Sequence, residues 1–173
     1  MPSLKHESGE AVPNYFGGVF VSVESAQTMQ SRVNKAIDRA VGSMSMFTRG
    51  KARGKLRGLT HPCANFVFDV QAAETSVQCE DRQPSAAPVD GRAIELVSAS
   101  GDRYALSHAF EDGSRMVQTY ATEHGQRQDV YEFIDDGQRL MVHTSIQSKW
   151  LTGQVRYTLY FERDVAMLQS AER

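Results

Sequence analysis

The chain has 173 residues, 40% of them hydrophobic and 23% charged, with a formal net charge of −2. One domain of this length buries roughly two thirds of its unfolded surface, so neither a disulfide nor a metal is required to hold a fold. The near-neutral charge gives no general pull toward nucleic acid or an anionic surface, and no apolar run reaches the ~18 residues of a membrane span.

The segment Met1–Asn14 is polar and is expected to be loose. It contains no apolar h-region, so it does not read as a secretory leader, and a cytoplasmic location is the expectation. Tyr15–Val23, "YFGGVFVSV", is β-branched and aromatic and predicts a first strand, with Gly17-Gly18 marking a bend or a close backbone approach. A helix is predicted over about Ser25–Phe47. Ser25 can serve as its N-cap. Ala26, Met29, Val33, Ile37, Ala40, Val41, Met44 and Phe47 recur at three and four residues as one apolar stripe, and Gly42 can split it into a pair. The next stretch, "TRGKARGKLRGL", carries Arg49, Lys51, Arg53, Lys55 and Arg57. It reads first as a solvated connector. Its functional reading is contact with an anionic surface, such as phosphates or lipid headgroups.

After Pro62 the pattern becomes strand-like. "CANFVFDV" and "TSVQCED" are predicted strands, and "RQPSAAPVDG" is a predicted loop with two prolines. "RAIELVS", "DRYALSHAF", "SRMVQTYAT", "RQDVYEFI", "QRLMVHTSI" and "VRYTLYFER" continue the series. Gly113, Gly125 and Gly137 fall at a regular interval, and Asp112-Gly113 and Asp136-Gly137 suit tight hairpin turns. Asp164–Arg173 is left as a tail or a short helix. Cys63 and Cys79, the two cysteines, are expected as free thiols.

A meander of this kind without intervening helices leaves sticky edges unless it closes. The predicted fold is therefore mainly β: an antiparallel up-and-down barrel of about eight to ten strands, spanning Tyr15–Arg163, with one helix or a helix pair after the first strand. Period-two alternation sends Tyr104, Leu106, His108 and Phe110 inward. It does the same for Met116, Gln118 and Tyr120, for Tyr131 and Phe133, for Leu140, Val142, Thr144 and Ile146, and for Val155, Tyr157, Leu159 and Phe161. Across the Asp112-Gly113 turn, Phe110 should meet Met116, and His108 should meet Gln118 within hydrogen-bonding reach. Apolar walls with a few polar tips are the general form of a small-molecule site. The candidate ligand-binding residues are Tyr104, His108, Gln118, Tyr120, Tyr131 and Tyr157. The competing reading is that these tips satisfy one another.

The order of first strand, helical segment and uninterrupted meander, over Tyr15–Arg163, resembles the cytosolic fatty-acid-binding branch of the calycin superfamily. "SMSMFTRGKARGKLRGL", "PSAAPVDGRAIEL" and "SKWLTGQVRYTLYFERD" also resemble uncharacterised bacterial lipocalin-like proteins. The first resemblance implies a lipid-binding barrel. Two departures stand beside it. That branch holds a carboxylate with an Arg-x-Tyr pair on the last strand, whereas here Arg156 is followed by Thr158 and points outward. The Gly-x-Trp signature of lipocalins proper is absent from "FGGVFVSV".

His6, His61, His108, His124 and His143 lack metal-ligand spacing, no Cys-x-x-Cys occurs, and no nucleophile or phosphate-loop motif is present. Asp135-Asp136 and Glu111-Asp112 sit at turns, where Asp is favoured for local reasons. The expectation is a non-catalytic protein, without metal or cofactor, that carries a small apolar or amphipathic molecule. No nucleic-acid partner is expected. The alternative is a filled barrel docking on an anionic partner or membrane through Arg49–Arg57. A third reading is an enzyme acting on an apolar substrate, with His108 as base.

Overall fold

The computed structural model describes residues 16–168; the predicted loose segment Met1–Asn14 and the end of the predicted tail lie outside them. In chain order the elements are β1 (Gly18–Ser22), α1 (Ala26–Ala40), α2 (Met46–Leu59), β2 (Asn65–Val70), β3 (Glu74–Cys79), β4 (Ser85–Pro88), β5 (Ile94–Val97), β6 (Arg103–Glu111), β7 (Arg115–Thr122), β8 (Gly125–Ile134), β9 (Arg139–Ser148), β10 (Val155–Arg163) and α3 (Val165–Leu168). The ten strands form one antiparallel sheet in the order β4-β3-β2-β1-β10-β9-β8-β7-β6-β5, rolled into a nearly closed barrel with the helices after the first strand.

The meander follows from its turns. Asp112 and Gly113, and Asp136 and Gly137, all take positive φ, the conformation Gly accepts freely and Asp tolerates. Gly125 differs. Its φ is ordinary, but a Cβ there would lie 2.2 Å from the carbonyl oxygen of Gln147, so strand proximity keeps it bare. Gly18, at φ 124°, is the close approach expected of the paired glycines: a Cβ would meet the Arg163 guanidinium, which donates to the Gly17 carbonyl at 2.7 Å.

The barrel's seam lies between β4 and β5, the two ends of the sheet. It carries one backbone bridge, Asp90 to Ala109, and two side-chain ties. His108 on β6 bonds the Thr75 carbonyl on β3 at 2.9 Å, and Tyr120 on β7 bonds Ser85 on β4 at 2.8 Å.

The helix pair expected from Gly42 is found, its first member ending at Ala40 and its second running Met46–Leu59, past the predicted end at Phe47; two further readings are corrected. Ser25 caps the first member as expected, accepting from the Thr28 N–H, and α1 buries Met29, Val33, Ala36, Ile37 and Ala40. The basic stretch read as a connector is α2. It buries no residue and carries a glycine every fourth position, each costing about 1 kcal/mol of helix propensity, so neither an apolar stripe nor propensity announced it. The proline-bearing loop contains β4, a short edge strand, the one kind that admits proline.

The cysteines are also corrected: Cys63 and Cys79 form a disulfide, with Cα atoms 5.6 Å apart. The pairing follows from register. Cys79 sits opposite Phe66 on β2, and Cys63 lies just before β2, so strand pairing brings together two thiols that are distant in sequence.

Candidate functional site: the polar belt and cavity of the barrel

Strand register builds the interior in rows. One row runs Phe161, Leu140, Phe133 and the next Leu159, Val142, Tyr131, Met116, Phe110. The third row runs Tyr157, Thr144, Asp129, Gln118, His108, one residue from each of five consecutive strands and every one polar. The fourth runs Val155, Ile146, Arg127, Tyr120, Leu106. The inward faces assigned by alternation hold throughout these strands, and the pairings Phe110 with Met116 and His108 with Gln118 are found as expected.

The third row is held by hydrogen bonds. The Tyr131 hydroxyl donates to Gln118 Oε1 at 3.0 Å, which fixes the amide so that its Nε2 donates to His108 Nε2 at 2.8 Å. That nitrogen is therefore an acceptor, so the proton sits on Nδ1 and is donated to the Thr75 carbonyl. His108 is thus neutral, fully buried and occupied at both nitrogens. Burial holds its pKa down to about 4, against the bond to Thr75, which raises it.

Two residues that the sequence reading missed complete the belt. Arg127 Nε donates to Asp129 Oδ2 at 2.8 Å and Nη2 to Oδ1 at 3.2 Å. Thr144 adds a hydroxyl bond to Asp129 Oδ1 at 2.6 Å. Burial works against the charge on Arg127, but Asp129 and the neighbouring Tyr157 and Tyr131 outweigh it and raise the pKa. Burial likewise raises the pKa values of Tyr120, Tyr131 and Tyr157, keeping these hydroxyls protonated and able to donate. The side chain of Asp129 is 4% exposed and that of Arg127 32%. The exposed part of Arg127 borders two hollows at this end of the barrel.

One is a cavity of about 280 Å³, walled by Phe66, Val77 and Tyr131 and by Gln118, Tyr120, Arg127 and Asp129, with the Cys63–Cys79 disulfide, His61 and Arg82 also in its lining. A second, more apolar hollow of about 300 Å³ shares Tyr120 and Arg127 and opens beneath α2 between Leu56, Leu59, Ile146, Trp150 and Leu151. Gln118, Tyr120 and Tyr131 therefore line the cavity. His108 and Tyr157 lie within the wall, and Tyr104 is half-buried beside Tyr120, ring centroids 6.1 Å apart. The five basic residues do not stand together in the barrel: Arg53 and Arg57 both reach Asp38 on α1, Arg49 bonds the Met44 carbonyl at 2.8 Å, and Lys51 and Lys55 flank a shallow hollow with Phe47 and Trp150. No group of three or more metal-ligating side chains occurs among the described residues, and no described helix is long and apolar enough to cross a membrane.

The barrel with its helix pair has the fold seen in solved fatty-acid-binding proteins. It superposes on a Schistosoma mansoni fatty acid binding protein in complex with arachidonic acid at a TM-score of 0.54 and 15% identity, over 88% of this chain and 98% of that one. Caenorhabditis elegans lipid binding protein 8 matches at 0.54 and 11% identity, over 90% and 100%. Zebrafish ileal bile acid-binding protein complexed with cholic acid matches at 0.50 and 11%, over 87% and 100%. No family model matches the chain, and no curated protein matches it in sequence.

Proposed function

We propose that the protein binds and carries a small apolar or amphipathic, lipid-like molecule in the barrel cavity and does no chemistry on it. The carrying observation is the cavity of about 280 Å³ with Phe66 and Val77 on one side and Gln118, Tyr120 and Arg127 on the other. Apolar walls supply about 0.8 kcal/mol per methylene buried, and the polar tips orient the other end of the ligand. The solved structures of like fold point the same way, since two of them hold arachidonic acid and cholic acid. Against a catalytic role for His108 stand its lost exposure and its two occupied nitrogens. The test is uptake of Nile red, a neutral apolar dye. Saturable fluorescence enhancement at micromolar concentration supports the reading, and its absence refutes it. Native mass spectrometry of freshly purified protein should show a copurified apolar mass.

A second property is carried by α2. Met46 and Phe47 are 82% and 95% exposed and Leu59 and Trp150 69% and 67%, all beside Arg49, Lys51, Arg53, Lys55 and Arg57. Exposed apolar side chains among cations suit an anionic lipid surface, at about 1 kcal/mol per cation. Replacing the five cations by Gln should abolish binding to phosphatidylserine vesicles at low salt and leave Nile red uptake intact. Equal vesicle binding by the variant would refute this docking.

A further inference from the structure

We propose that the cavity selects a molecule whose polar end is uncharged, such as an alcohol, ester or amide, over one that ends in a carboxylate. This rests on the cavity-binding reading above. Arg127 is the cation placed inside the barrel among the described residues that line the cavity; Arg82 and Lys55 stand in solvent at its edges. Arg127 is already matched, one charge to one, by the bidentate pair with Asp129. Asp129 is almost fully enclosed and is held by Thr144 as well. The belt is therefore electrically neutral before anything enters. A carboxylate drawn in beside it would bring an unmatched negative charge against the walls formed by Phe66, Val77 and Tyr131 and set it beside the carboxylate of Asp129. An uncompensated buried charge is strongly unfavourable, whereas a neutral oxygen needs only a donor.

Such a donor is present. The Gln118 amide oxygen and one of its N–H groups are taken by Tyr131 and His108, and the Tyr120 hydroxyl shares a bond with Ser85 in which either can donate. Arg127 Nη1 makes no hydrogen bond among the described residues, on a guanidinium whose free surface faces the cavity. A carbonyl or hydroxyl oxygen accepts from it without disturbing the pair, and the apolar hollow that also contains Arg127 receives the attached chain.

The experiment is displacement of Nile red by dodecanol, dodecanamide and dodecanoate at neutral pH, on the wild-type chain and on Asp129→Asn. The wild type should favour the alcohol and the amide over the carboxylate by about tenfold. Asp129→Asn, nearly the same in shape, leaves the Arg127 charge unmatched and should reverse the order. Equal or tighter binding of dodecanoate to the wild type overturns the proposal while leaving the cavity reading intact, and so does an unchanged ratio in folded Asp129→Asn. Should the variant fail to fold, the wild-type ratio alone decides. Failure of the wild type to take up Nile red removes the cavity reading and this inference with it.

Discussion

Phe16, Phe20, Phe66, Phe68 and Phe133 fill one part of the barrel interior with rings in contact, such as Phe16 on Phe133 at 4.4 Å and Phe68 on Phe133 at 5.3 Å, both edge to face. A few register steps away the row Tyr157, Thr144, Asp129, Gln118, His108 replaces rings with hydrogen bonds, and the space beyond it is a cavity. The apolar part is held by close packing, where every missing methylene is felt. The polar part is held by partner matching. A side chain fixed by hydrogen bonds need not touch atoms on all sides, so the polar belt can border a cavity that only Phe66 of the phenylalanine cluster reaches.

This contrast predicts that the two parts fail differently. Phe68, buried among Phe20, Phe66, Tyr131 and Phe133, sits at the centre of the packed part. Phe68→Ala should cost about 3–5 kcal/mol by urea denaturation, without altering the preference between alcohol and carboxylate probes. A loss no larger than that of a surface substitution would show that the cluster is not the core of stability.

The disulfide serves the cavity side, where Cys63 and Cys79 form part of the lining. Its closed loop, with a sequence separation of 16, corresponds to about 3 kcal/mol of stability in the chain-entropy description. Reduction should lower the urea midpoint accordingly, and a thiol reagent should find no reactive cysteine before reduction.

His108 makes the polar part sensitive to acid. Its pKa lies at about 4 in the fold, against an ordinary value of 6.5. A depressed histidine contributes stability that is fully present above the unfolded value and lost as pH falls toward the folded one. Stability should therefore decline between about pH 6.5 and 4, by roughly 3 kcal/mol at most. His108→Leu should remove that slope, at a cost of about 1–3 kcal/mol at neutral pH from the orphaned Gln118 amide. Parallel pH slopes in the two proteins would break the account.

Much of this contrast was legible in the sequence. Alternation placed Tyr131 and Phe133 inward, and the Asp112-Gly113 turn set His108 against Gln118. The same alternation, carried two and four residues back from Tyr131, puts Asp129 and Arg127 inward too. Charged residues are ordinarily assigned to solvent, and only the pairing of these two makes their burial tolerable. The disulfide and the short strand β4 were not legible, since they depend on the register of β3 against its chain neighbours β2 and β4, and the seam was not, since it joins strands far apart in sequence.

The smallest effect concerns a buried hydroxyl beside the belt. Thr75 lies fully buried on β3, and its Oγ1 is the buried side-chain atom without a hydrogen-bond partner among the described residues. Its carbonyl, by contrast, accepts the hydrogen bond from His108 Nδ1. A buried hydroxyl left unmade costs free energy that an apolar group of the same shape does not, so Thr75→Val should raise stability by about 1 kcal/mol. The backbone bond to His108 is untouched by the change, and the acid-dependent slope should persist. A destabilised Thr75→Val would instead show that the hydroxyl has a partner within the barrel. If ligand uptake fell as well, that partner would be the bound molecule, and the polar belt would extend across the seam to β3.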